Sequence, residues 1–212
     1  MKLYHGTTER ALKRILKSGL TPRGKRRSVW AVASSPKAVY LTTAYGIHFG
    51  SNACPRGRGR MAIIEIDSSE LEPHFMAPDE DFLEQGTRND PAFFKQFDGM
   101  SMEERTLWFR KRLQSNFQPF WQASLEKLGN CAYFGTVPVR AITQVAVMPV
   151  DHAFCYKSDP TISLMNYAIM GPFYRNLTRA VFADYDLFEP DPLGWSAGLE
   201  DIERDGVEVQ VL

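Results

Sequence analysis

Three short strand-type runs, interleaved with two helical patterns, fill the first 67 residues and constrain the fold more than any other feature. Lys2 to Tyr4 reads as a strand that ends at His5-Gly6-Thr7-Thr8. From Thr8 to Ser18, Ala11, Leu12, Ile15 and Leu16 recur at the spacing of one helix face. Thr7 or Thr8 is placed to cap that helix, Glu9 suits its first turn, and Gly19 is expected to end it in the left-handed conformation. Leu20 to Pro36 reads as a loop, Ala38 to Thr42 as a second strand, Ala44 to Ala53 as a short helix, and Met61 to Asp67 as a third strand. Residues 68–120 read as a mostly helical excursion. Within it, Ser101 and Glu104 form a capping-box signature for a helix from Met102 to about Leu113. Pro119 opens a further helix that Gly129 closes. Strands follow at Cys131 to Phe134 and Ile142 to Met148, then a helix from Thr161 to Met170 and a last strand from Val207 to Val211. This order predicts an α+β fold with a mixed or antiparallel sheet.

The 212 residues suit one domain, here with a helical insertion over residues 68–129 and an acidic C-terminal extension over 184–212. An apolar content of 44% is ample for a core. No apolar run approaches the roughly 18 residues that span a bilayer, and the first ten residues lack a secretory apolar stretch, so a cytoplasmic protein is expected. Cys54, Cys131 and Cys155 are odd in number and widely spaced, which suggests neither a disulfide framework nor a metal site. His74 and His152 lack neighbours at metal-ligand spacing.

The net charge of zero hides a polarity. Residues 1–60 hold thirteen Lys or Arg against one acid, a net of +12, and the rest of the chain carries −12. Such asymmetry points to an anionic partner on one face. A nucleotide pyrophosphate, a DNA or RNA strand, and the chain's own acidic half are the three candidates. Lys25, Arg26, Arg27, Arg56, Arg58 and Arg60 are the candidate phosphate contacts, with Trp30 or Phe49 available to stack on bases.

The chemistry-bearing residues cluster at strand ends. His5 leaves the first strand beside Gly6, where a missing side chain permits close approach of a ligand. Tyr40 lies in the second strand and Tyr45 in the helix after it, so two rings could sandwich a flat heteroaromatic group or, equally, pack in the core.

The segments LYHGTT and VYLTTAYGIHFG, with the later YFGTVPVRAITQVAV, resemble the ADP-ribosyltransferase superfamily, in its branch marked by a His, a Tyr and a Glu on successive strands. The resemblance covers about residues 1–67 and 130–148. It implies an ADP-ribosyltransferase-like sheet core and NAD as a substrate, with no metal. It also implies that His5 binds a ribose, Gly6 holds the nicotinamide amide through its backbone, and Tyr40 and Tyr45 stack around the ring. Thr7 and Thr42 become polar neighbours of that site; charge alone points to Arg14, Arg23 or the 25–27 cluster as pyrophosphate contacts. Small members of this superfamily are often toxins or effectors in bacterial and phage conflict.

One departure matters. The family glutamate is expected near Asn130 to Ala132, where this chain has no acid. Glu80, in the acidic run Asp79 to Asp81, is the first candidate to replace it, and Glu126 the second. The expected activity is NAD-dependent ADP-ribosyl transfer to a nucleic acid or protein, with His5, Tyr40 and Glu80 as catalytic residues. The alternatives are a non-catalytic nucleotide- or nucleic-acid-binding module and an RNA 2′-phosphotransferase-like enzyme.

Overall fold

The structure is a computed structural model, and it describes residues 1–26, 28, 34–54, 58–150, 164–201 and 206–212. The chain is α+β, and among the described residues it is built on a seven-stranded sheet in which every pairing is antiparallel. In chain order the strands are β1 (Lys2–Thr8), β2 (Val39–Thr42), β3 (Arg60–Asp67), β4 (Met76–Pro78), β5 (Asn130–Tyr133), β6 (Ile142–Pro149) and β7 (Glu208–Val211). The helices are α1 (Glu9–Ser18), α2 (Gly46–Ala53), α3 (Glu80–Thr87), α4 (Pro91–Phe94), α5 (Met102–Asn116), α6 (Trp121–Leu128) and α7 (Leu164–Val181). Across the sheet the order is β4-β5-β2-β1-β3-β6-β7.

Two apolar layers sandwich the sheet. Strand alternation sends Leu3, Leu41, Ile64 and Cys131 to one face, where Leu12 and Ile15 of α1 cover them. The other face carries Tyr4, Ile63, Ala146 and Met148 under Ile47 of α2 and Leu177 and Val181 of α7. The aromatic residues of the excursion form their own core, with Phe97, Phe109 and Leu113 buried and Trp108 and Phe117 packed against them. The capping box at Ser101 and Glu104 is formed, and α5 runs one turn beyond Leu113. Gly129 closes α6 in the left-handed conformation at φ 75°. Thr8 stands at the N-cap of α1 without a side-chain capping bond.

The excursion is mostly helical, with Met76–Pro78 added as an edge strand on β5. Two expectations need correction. Gly19 has φ 81° but ψ 171°, outside the left-handed helical well. Its backbone lies against the Val137 carbonyl oxygen, which a Cβ would meet at 2.4 Å. The helix expected at Thr161–Met170 extends on to Val181, past Pro172, and its expected start lies outside the described residues.

The central irregularity lies between β1 and β2. β1 registers with β3 from Lys2 through Thr8, but with β2 only through the pair Tyr4 and Thr42. Past that pair the ladder stops and the two halves of the sheet part. Gly6 sits at the parting, and its Cα faces the α2 backbone. A Cβ there would lie 2.1 Å from the Gly50 nitrogen and 2.2 Å from the Gly46 oxygen. The glycine is therefore required by helix-on-strand packing. Because backbone atoms cannot swing aside, Gly6→Ala is expected to lower stability by about 3 kcal/mol, the upper range for overpacking. A urea titration showing a loss below about 1 kcal/mol would contradict the close approach.

Candidate functional site

The group at the parting of the sheet is built from three elements. Tyr40 projects from β2 among Ala38, Ala77 and Ala132, beside the partly buried Phe134. Glu80 opens α3, one residue after Asp79, whose carboxylate caps the helix by accepting from the Asp81 amide. The Tyr40 hydroxyl lies 2.5 Å and 2.6 Å from the two Glu80 oxygens. The amide of Ser35 donates to Glu80 Oε1 at 2.9 Å and to the Tyr40 hydroxyl at 2.9 Å. Ser35 is held in turn by its loop: Arg23 donates to the Ser34 carbonyl at 2.9 Å, and the Gly24 amide to the Pro36 carbonyl at 2.8 Å. Glu80 is 3% exposed. A carboxylate so buried persists only when its lone pairs are met by donors, and the phenol and the amide supply them.

His5 joins from the other strand. Its Nδ1 lies 2.9 Å from the Tyr40 carbonyl oxygen. A carbonyl only accepts, so Nδ1 carries the proton and the neutral ring presents Nε2 as an acceptor. A sugar hydroxyl at this ring would therefore donate to Nε2. By alternation the imidazole leaves the face shared with Leu3 and Ile64, and the Tyr40 ring the opposite face. The link between them runs from the His5 ring to the Tyr40 backbone carbonyl, where β1 and β2 no longer pair.

Burial sets the protonation states. It lowers the His5 pKa, a shift only partly countered by the bond to the Tyr40 carbonyl. It raises that of Glu80 against the opposing hydrogen bonds from Tyr40 and Ser35. It also raises Asp79 well above the usual carboxylate range, helped by the charges of Asp81 and Glu80. Tyr40 is pushed well up by burial and then by the Glu80 charge, so its phenol stays a donor.

Other residues singled out from sequence lie elsewhere. Tyr45 is 2% exposed and belongs to an aromatic core with Tyr167 and Tyr174, 5.9 Å and 4.8 Å between ring centroids. It does not share a cleft with Tyr40. Thr42 is fully buried; its hydroxyl donates to the Gly129 carbonyl at 2.9 Å and accepts from the Tyr45 amide at 2.9 Å, which fixes the start of α2. Thr7 is partly buried on β1. His48 is 3% exposed and packs edge-on against Tyr45 and Phe49. Glu126 sits on α6 with an exposed side chain paired with Lys127 at 2.7 Å. Asn130 holds the place where the family acid is expected; it is 4% exposed and its Oδ1 has no partner.

The basic residues divide. Arg60 is the first residue of β3 rather than a loop residue, and it is paired with Glu9 at 3.4 Å and Glu208 at 2.7 Å. The chain's own acids thus take up part of the early positive charge, as Glu65 and Asp184 do for Lys2 at 3.1 Å and 2.7 Å. Lys25, Arg26 and Arg58 are exposed, and Arg26 donates to the Arg23 and Pro22 carbonyls. Arg27, Trp30, Arg56, His152 and Cys155 lie outside the described residues. Among the described residues no three metal-ligating side chains gather, and no helix is long and apolar enough to cross a membrane. Among the described residues a concavity lies not at this group but between α6 and α7.

No known protein-family model and no curated protein matches the chain. A solved chain named EcPltA is similar over 76% of this chain and 89% of its own, at 11% identity and a TM-score of 0.37.

Sequence reasoning missed Ser35, whose contribution is a backbone amide that any non-proline residue supplies. The raised Glu80 pKa has a measurable consequence. A carboxyl group whose pKa rises on folding stabilises the protein below its unfolded pKa of about 4.3 and loses that contribution as pH climbs through the folded value. Glu80→Gln keeps an acceptor for Tyr40 and Ser35 but no charge. It is expected to flatten the decline in stability above about pH 4.5, measured by denaturant unfolding across pH. An unchanged profile would show that Glu80 is not the strained carboxyl.

Proposed function

We propose that the chain is an NAD-dependent ADP-ribosyl transfer enzyme of the ADP-ribosyltransferase-like fold, with Glu80 in the role of the family glutamate. The contact between the Tyr40 hydroxyl and the Glu80 carboxylate supports this reading most directly. The acid missing from β5 is supplied from α3 at the tyrosine that the resemblance marks.

The available groups suit the chemistry of NAD. His5 Nε2 is an acceptor for a ribose hydroxyl. Lys25 and Arg26, on the loop that also positions Ser35, are exposed and offer positive charge for a pyrophosphate, Arg26 while also donating to the Arg23 and Pro22 carbonyls. In the reaction the bond between ribose C1′ and the nicotinamide nitrogen breaks, and its electron pair leaves with nicotinamide. Positive charge builds on the ribose, as in glycoside cleavage. A Glu80 carboxylate in a water-poor setting stabilises that charge strongly. The acceptor then gives an electron pair to C1′ and its proton to Glu80. Exposed Lys25, Arg26 and Arg58 favour a phosphate-bearing nucleic acid as acceptor. Asn130 on β5 favours a second reading, a nucleotide-binding module without turnover.

Release of free nicotinamide from NAD separates the two. Turnover is expected to rise with pH as Glu80 ionises, since only the carboxylate opposes the developing cation. Glu80→Gln is expected to reduce the rate by about 10²–10³-fold, the usual cost of one preorganised electrostatic group, with little change in NAD affinity. Binding of NAD without nicotinamide release would favour the module; neither binding nor release would overturn both.

A further inference from the structure

The concavity between α6 and α7 has a volume of about 660 Å³, within the roughly 300–1,000 Å³ typical of small-molecule sites. It lies at the opposite end of the Tyr4–Thr42 pair from the His5–Tyr40–Glu80 group, and none of those three residues lines it. Lys2, Tyr4, Trp121, Tyr167, Arg175 and Arg179 define its chemistry.

Two kinds of surface face each other there. The partly buried Trp121 offers an indole beside the buried Leu125 of the same helix. Across from it, α7 presents two guanidinium groups. Arg175 donates to both oxygens of Glu189 and to the Tyr167 hydroxyl, and its guanidinium carbon lies 5.2 Å from the Tyr167 ring centroid. Arg179 lies 3.1 Å from the same Glu189 oxygen and donates to the Leu187 carbonyl. Two cations therefore share one carboxylate, leaving the α7 wall one positive charge in excess. Lys2 also lines the cavity but is matched by two acids behind it, Glu65 and Asp184, so the positive excess is that of the α7 wall alone. The one acid on the wall, Glu126, has a 70% exposed side chain and is paired with Lys127. A ligand entering thus meets an aromatic face on one side and hydrogen-bond donors of positive charge on the other.

We propose that this cavity binds a small aromatic anion, with its ring against Trp121 and its carboxylate or phosphate on Arg175 and Arg179. Guanidinium groups fixed by a shared carboxylate and by Tyr167 hold their donors ready, which lowers the ordering cost of a charge-assisted contact. The ring supplies the apolar contact that a bare anion lacks.

The test is calorimetric titration of the full chain with AMP, benzoate, adenosine and inorganic phosphate. AMP or benzoate is expected to bind, and adenosine and phosphate at least about tenfold more weakly, since each lacks one half of the recognition. The stronger of AMP and benzoate identifies the source of the anion. Arg179→Gln and Trp121→Leu are each expected to weaken the preferred anion by about tenfold or more. Arg179→Lys, which keeps the charge but not the fork, serves should the glutamine variant fail to fold. His5→Ala is expected to leave this binding intact while abolishing nicotinamide release, which separates failure of this site from failure of the proposed activity. No binding of AMP or benzoate at millimolar concentration, or binding indifferent to both Trp121 and Arg179, would overturn the proposal.

Discussion

A carboxylate that is almost wholly buried must be matched by donors, and the arrangement at the centre of this molecule answers to that requirement. Glu80 is removed from water at the start of α3, and the Tyr40 phenol and the Ser35 amide take the place of its hydration. Hydrogen bonds to a charged group are worth about 1.5–3 kcal/mol each, while leaving such a charge unmet costs several. The two donors come from different parts of the chain, one from β2 and one from the loop before it. The pair therefore ties three segments together: the loop after α1, the second strand, and the beginning of the excursion. Arg23 braces the loop from behind through the Ser34 carbonyl.

The sheet makes room for this group by failing to pair. β1 is zipped to β3 along its whole length, yet it meets β2 at one registered position. α2 crosses at the parting and presses its backbone onto Gly6, so the strand cannot carry a side chain there. With the ladder interrupted, the Tyr40 carbonyl lacks a strand partner from β1 and takes the His5 imidazole instead. That bond fixes which ring nitrogen bears the proton, and burial keeps the ring neutral. Backbone packing on one side of the gap and side-chain chemistry on the other are consequences of the same break.

Much of this architecture is written in local patterns. Apolar spacing placed α1, the Ser101–Glu104 pair placed the start of α5, and Gly129 marked the end of α6. β4 was illegible because three residues ending in Pro78 carry no periodicity, and the strand exists only because β5 offers it an edge. Glu80 was readable only as one acid of the run after β3. The reason it reaches Tyr40 was not, since that depends on how α3 docks. Tyr45 and Thr42 misled for a physical reason. An aromatic ring and a hydroxyl after a strand look the same in sequence whether they face a ligand or hold α2 to the sheet. Ser35 and the α6–α7 cavity carry no sequence mark, one being a backbone contact and the other a space between elements distant in the chain.

The central claim is that the carboxylate held by Tyr40 faces the reacting carbon. A crystal structure of the Glu80→Gln chain soaked with NAD tests it directly. The account expects the dinucleotide in the gap between β1 and β2, with a ribose hydroxyl on His5 Nε2 and C1′ about 3–3.5 Å from the residue 80 side chain, the range of a near-attack geometry. NAD bound elsewhere, with the gap closed around Tyr40 and residue 80, would contradict it.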